Sequence, residues 1–181
     1  TDGAARALLT FRRPNGAAEE FVLSTVQVYN NSQLELVESR SPRYSISPQR
    51  DAIILSMAAG QVRIATARVG DALPRVEIRT PHARAILEEG SYSVRVTSDV
   101  TEVTARFGKA TVEADARQVE LASGLRVEVP AGGPPSAPLP AAQNLIVNGN
   151  FTDPLTPSWQ VDSFQATAEA IAGKAEIVTS G

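Results

Sequence analysis

His82 is the sole imidazole in the chain, and it follows Thr80-Pro81 where a turn is expected. One imidazole cannot build a His-rich metal site, and no serine or aspartate stands at a spacing that would make it the base for a nucleophile. A structural or surface role is expected. Glu88 and Glu89 are consecutive, so in a strand they point to opposite faces, which is the wrong arrangement for a paired acid and base. They are expected to mark a polar turn before Gly90, and Asp99 and Glu102 to belong to another turn. A retaining glycosidase needs two carboxylates about 5 Å apart, and no motif here argues for such a pair. The chain also lacks a glycine-rich phosphate loop, a zinc-protease helix motif, an EF-hand loop and a nucleophile elbow. The expectation is a non-enzymatic chain with no catalytic residue, no metal and no cofactor.

Other residue types point to contact or modification. Asn30 and Asn150 each open an N-x-Ser/Thr sequon at an expected turn, and are candidate glycosylation sites. Tyr44, Ile46, Phe151 and Trp159 are candidate interface residues. Tyr29 joins Tyr44 on the general ground that tyrosine is common at interfaces. Trp159 has the aromatic surface to stack on a sugar, but packing in a core or interface is the preferred reading.

The elements that must carry these residues read as strands. Between Gly60 and Val129, four segments open on glycine and alternate apolar with polar residues: Gly60-Gln-Val-Arg-Ile64, Gly90-Ser-Tyr-Ser-Val-Arg-Val96, Gly108-Lys-Ala-Thr-Val112 and Gly124-Leu-Arg-Val-Glu-Val129. Period-two alternation buries one face of a sheet and wets the other. By this rule Val62 and Ile64 face inward around Arg63, and Val76 and Ile78 around an outward Glu77. The glycines are read as strand leaders with turn or bulge geometry. Ala52-Ile-Ile-Leu-Ser-Met57 is the most continuously apolar run and is expected to lie centrally. Asn15-Gly16, between Ala7–Phe11 and Glu20–Val28, predicts a hairpin; a helix over Ala4–Arg13 is the competing reading of the first run. Leu34 and Leu36 flank Glu35 in a further strand. Pro42 and Pro48 bracket an expected edge strand over Arg43–Ser47. The fold class predicted is all-β: an antiparallel sandwich or β-roll.

Composition narrows the partners. The formal net charge is −3, and arginines are scattered singly, so nucleic acid is not an expected partner. There is no cysteine, which excludes a disulfide scaffold and a thiolate metal site. No run has the length of a transmembrane helix. Thr1 stands where an initiator Met would, so the chain is expected to begin after a removed segment, with a signal peptide or membrane anchor upstream.

Three regions follow: a β domain over 1–130, a Pro/Ala-rich linker over 131–143 with four prolines and a polyproline II bias, and an incomplete start of a second β-sandwich module over 144–181. The last stretch is too short for an independent sandwich.

The middle of the chain resembles the FecR domain family. The residues that carry this are Ile53-Ile-Leu55, Gly60-Gln-Val-Arg-Ile64, Val76-Glu-Ile-Arg-Thr-Pro81, Leu87-Glu-Glu-Gly-Ser-Tyr-Ser-Val94, Val103-Thr-Ala-Arg-Phe-Gly108 and Val119-Glu-Leu-Ala-Ser-Gly124. The order "Thr-Pro, Gly-Ser-Tyr-x-Val, Gly, Gly" is the most specific part. The resemblance implies an all-β, extracytoplasmic bacterial domain; in the founding group such domains sit behind a membrane helix and relay a signal from an outer-membrane transporter to a sigma factor. Separately, Asn144-Leu-Ile-Val-Asn-Gly-Asn-Phe151, with Trp159 after it, is similar to the opening of carbohydrate-binding jelly-roll modules. The functional expectation is protein–protein contact as a scaffold or sensor subunit of a cell-envelope assembly, through edge-strand pairing at Arg43–Ser47 or the segment after Ala141. Its alternatives are carbohydrate adhesion through the C-terminal module, with a glycan as partner, and anti-sigma signalling.

Overall fold

The computed structural model describes residues 5–15, 19–42, 50–69 and 73–141. The chain divides into two units, Thr1–Ala142 and Gln143–Gly181, and the second lies wholly outside the described residues. The described residues are all strand, turn and irregular chain, with no helix.

The strands are β1 (Ala7–Asn15), β2 (Glu19–Val28), β3 (Gln33–Arg40), β4 (Ala52–Thr66), β5 (Arg75–Arg79), β6 (Arg84–Val96), β7 (Val100–Ala114), β8 (Arg117–Leu121), β9 (Leu125–Pro130) and β10 (Leu139–Pro140). β1 and β2 form the hairpin that Asn15-Gly16 predicts, closing at Asn15 opposite Glu19; the helical reading of the first run is set aside. β4 is central. Its first part pairs with β3 and, in parallel, with β5, and its second part pairs with β2 and β6.

Three of the glycines do not lead strands, which corrects the sequence reading. Gly60, Gly90 and Gly108 lie inside β4, β6 and β7 and let these long strands change direction; only Gly124 immediately precedes its strand. The result is one sheet folded into two layers. The first holds β3, 52–59 of β4, β5, 84–87 of β6, 110–114 of β7, and β8. The second holds β1, β2, 60–66 of β4, 90–96 of β6, 100–107 of β7, β9 and β10. Gly60 is opposite Val96 and Thr66 is opposite Gly90, so β4 and β6 change layers at opposite ends of their shared ladder. The buried residues of both layers, among them Leu55, Met57, Val76, Ile78, Val112, Val26, Val62, Ile64, Val94 and Val127, form one apolar cluster. Each such side chain contributes about 1.5–3 kcal/mol through burial.

The β6–β7 corner is closed by a tyrosine. Gly90 and Gly108 are directly opposite one another. A Cβ on either would fall 2.7 or 2.6 Å from the Tyr92 hydroxyl and would also run into backbone of the facing strand. The space left by the two glycines takes the Tyr92 phenol. Its hydroxyl donates to the Lys109 carbonyl at 2.6 Å, with the Glu88 and Glu89 carbonyls at 3.3 Å. Burial, and then the nearby Glu88 carboxylate, push its pKa up to about 12. Glu88 and Glu89 therefore sit at a bulge inside β6, where the register shifts between Leu87 and Gly90, and not at a turn; both are exposed.

Residues 131–141, read as linker, fold back along β9. Ala131 N–H donates to Asp99, Ser136 N–H to Glu128 and Ala141 N–H to Gly124, and Leu139–Pro140 pairs with β9 as β10. Proline suits this edge position because it needs no ladder donor on the solvent side.

Candidate protein-contact surface

Every sheet edge offers unpaired N–H and C=O groups, and proteins usually blunt them. Among the described residues, four strands have one partner only: β1, β3, β8 and β10. β3 carries two register shifts, which leave Val37 without a partner residue on β4. Such bulges bend an edge away from further pairing. β10 has two residues, too short to template an addition, and β8 carries Arg117 and Glu120 within its five residues, charges of the kind that guard an edge. β1 differs. Ala7–Phe11 pairs rung by rung with Ser24–Val28, and the one irregularity in the ladder comes after Phe11.

Leu8 and Leu9 add exposed apolar surface to this edge, while Leu36 and Val37 on β3, Phe107 in β7 and Leu139 in β10 are exposed elsewhere among the described residues. Leu8 is 67% exposed, Leu9 38%, and on the adjoining strand Phe21 38% and Val22 41%. Leu9 lies opposite the buried Val26, so its side chain belongs to the inner face, at the open rim of the core. Leu8 lies opposite Gln27 on the outer face. The far half of the hairpin runs past the last β2–β4 rung, Ser24–Thr66. It is tied down by Arg13, whose Nη1 donates to the buried Asp51 carboxylate at 3.0 Å, and by Phe11, which packs on the core. Arg12 pairs with Glu20 at 2.7 Å in the open, an exposed pair of small worth. The Arg13 guanidinium lies 5.9 Å from the centre of the Phe21 ring, and that of Arg6 5.6 Å from the Tyr29 ring.

A second charged cluster was not foreseen. Glu77, predicted to face water, is fully buried. Its carboxylate accepts from Arg84 at 2.9 Å, Arg79 at 2.7 Å and Arg75 at 2.8 Å, and Arg84 also donates to Glu113 at 3.0 Å. It does lie on the outer face, as alternation requires; the three arginines lying over it keep water away. Donation from Arg84, opposed by burial and reinforced by Arg79 and Arg75, lowers the Glu77 pKa to about 2. The same pairing raises that of Arg84. The signal was present in Arg75-Val-Glu-Ile-Arg79, which puts two cations and an acid on one face at i, i+2 and i+4. Chemically this is a closed ion network with its carboxylate saturated. On the other layer, Arg126 bridges Glu102 and Glu128 at 2.7 Å each, which places Glu102 in β7 and not in a turn.

The remaining sequence candidates fall as follows. His82 is half-buried, and its Nε2 lies 3.2 Å from the Thr97 carbonyl. That oxygen can only accept, so this nitrogen carries the proton. Among the described residues no group of three or more His, Asp and Glu could hold a metal ion. Asn30 is exposed in a turn with Asn31, at φ 55°. The hydroxyl residue of its sequon, Ser32, is buried: its Oγ accepts from Gln61 N–H at 2.9 Å and donates to the Gln61 carbonyl at 3.0 Å, beneath Gly60. Tyr44, Ile46, Asn150, Phe151 and Trp159, with the proposed edge strand over 43–47, lie outside the described residues. Sequence reasoning missed β1 as a surface because alternation shows which face is wet and never which edge is left open.

No protein-family model matches the chain, and no curated protein does. Among solved structures it is similar to two crystal structures described as a "putative anti-sigma factor" from Parabacteroides distasonis. The first is 18% identical, covers 77% of this chain and 57% of that one, and gives a TM-score of 0.53. The second is also 18% identical, covers 75% and 60%, and gives 0.48. The chain thus spans a little over half the length of those proteins. At this identity the likeness is one of architecture: the chain is an all-β protein whose folded sheet shares the fold of the first Parabacteroides structure.

Proposed function

We propose that this chain is an extracytoplasmic, FecR-like β domain that works by contact with other proteins, as a scaffold or sensor subunit of a cell-envelope assembly, and catalyses no reaction. Attachment to the membrane would come from a segment before Thr1. The observation that carries the reading is the Ala7–Phe11 edge of β1, regularly paired on one side and without a second strand partner among the described residues, with Leu8 and Leu9 exposed on it. An open backbone edge bordered by apolar side chains is the arrangement that accepts a strand from a partner. A second reading, a regulator in anti-sigma signalling, is favoured by the description of the Parabacteroides protein with this fold.

The test is affinity purification of the native protein from its membranes, with and without Leu8→Lys. The reading expects a defined second protein that is lost with the variant. Recovery as a lone monomer in both cases overturns it. If the captured protein is a sigma factor or its regulator, the second reading replaces the general one.

A further inference from the structure

The two cations nearest the β1 edge are both held back toward the body of the sheet. Arg6, just before the strand, lies with its guanidinium 5.6 Å from the centre of the Tyr29 ring. Arg12 is bound to Glu20 of the adjoining strand at 2.7 Å. Between them Ala7, Leu8, Leu9, Thr10 and Phe11 carry no charge. Nothing in Ala7–Phe11 therefore selects a partner by charge. An incoming strand meets an outer row of Arg6, Leu8 and Thr10, and an inner row of Ala7, Leu9 and Phe11 that borders the core.

The occupant must cover Leu8, which is 67% exposed, and leave room for Leu9 on the inner side. A second copy of this edge does both in one register. A two-fold axis normal to the sheet keeps inner face with inner face and pairs the strand antiparallel with itself. Centred on Leu8, it sets Leu8 opposite Leu8, Ala7 opposite Leu9 and Arg6 opposite Thr10. Directly opposed Cβ atoms lie about 4.5–5.5 Å apart, so each Leu8 is covered by its own equivalent. On the inner side each leucine meets an alanine, large against small. Arg6 meets a hydroxyl and no cation. Moving the axis to Leu9 would set Arg6 against Arg12, and like charges directly opposite destabilise. Moving it to Ala7 would set Leu8 against Arg6 in place of a second leucine.

We propose that the β1 edge is an isologous contact: two copies of the chain pair β1 with β1, antiparallel, about a two-fold axis at Leu8. This rests on the protein-contact reading and names the occupant of the edge, the subunit entering its assembly as a pair. A contact one strand wide is smaller than the standard interface of about 1,600 Å², so the dimer is expected to be reversible.

The test is sedimentation velocity of the full chain at concentrations from about 1 to about 300 μM. A monomer–dimer equilibrium is expected. Leu8→Lys sets cation against cation across the axis and should weaken the dimer by about tenfold or more. Thr10 reads the register. Thr10→Glu puts a carboxylate across from Arg6 on both sides of the axis and should tighten the dimer about threefold, while Thr10→Arg should loosen it by about as much. Thr10 is exposed, and both substitutions leave Leu8 in place, so they decide the matter if Leu8→Lys fails to fold. A chain that stays monomeric across the range overturns the proposal, as does a dimer indifferent to Leu8→Lys or to both Thr10 substitutions. If the chain is monomeric while a second protein still co-purifies with it in a Leu8-dependent way, self-pairing falls and the protein-contact reading stands.

Discussion

The β6–β7 corner and the β1 edge are made from the same alternation of apolar and polar residues, yet one is shut and the other open. At the corner two glycines face each other, a tyrosine hydroxyl fills the space between them, and three backbone carbonyls converge on it. Every group there depends on its neighbours. At β1 the inner row reaches the rim of the core and stops, with Leu9 38% exposed and no further strand beside it among the described residues. The lesson is that the apolar pattern alone does not separate a structural strand from a contact strand. What separates them is whether the backbone on the far side has been satisfied.

That contrast can be broken from its closed side first. Gly90→Ala should have the largest effect, since the new methyl meets the Phe107 carbonyl and the Tyr92 hydroxyl. A loss of about 3–5 kcal/mol is expected by urea denaturation; a stable, unshifted variant would show that the corner can yield. Next comes the ion network on the outer face of the first layer. Glu77→Gln takes the carboxylate from Arg75 and Arg79 and leaves Arg84 with Glu113, at a cost of about 2 kcal/mol. The wild-type acid dependence follows from the sign of the shift. The folded pKa lies below the ordinary value of 4.5, so this contribution is complete above that value and is lost as pH falls toward about 2. The Gln variant should lack that part of the acid slope in melts taken across the same window.

Tyr92→Phe removes one donor and leaves the ring, so about 1 kcal/mol is expected. Wild-type ultraviolet titration should show one of the three tyrosines resisting ionisation until about pH 12, and the variant should lose that late phase. The smallest stability effect belongs to the open side. Leu8→Lys should change unfolding free energy by no more than about 0.5 kcal/mol while abolishing partner capture. A strongly destabilised Leu8→Lys protein would mean that β1 is structural after all, and the contrast would collapse.

Much of the scaffold was legible from residue order. Alternation at Val62–Ile64, Tyr92–Val96 and Val127–Val129 marks the inner face correctly, and Ala52–Met57 is central because its apolar residues serve both faces of β4. The glycines misled because a positive-φ residue looks the same in sequence whether it opens a strand or bends one. Glu77 misled because alternation assigns a face, while burial on that face depends on Arg84 arriving from the neighbouring strand. The contact surface was the least legible. Edge status is a property of the whole pairing list, and the sequence shows each strand without its neighbours.

β4 has a further consequence for how the molecule comes apart. One chain segment supplies rungs to β3 and β5 in one layer and to β2 and β6 in the other. No seam therefore separates the layers. Freeing either from the core strips β4 of half its partners, and β6 with it. Among the described residues, melting is expected as a single cooperative event over β1–β9, with amide exchange earliest in the short strap of β10.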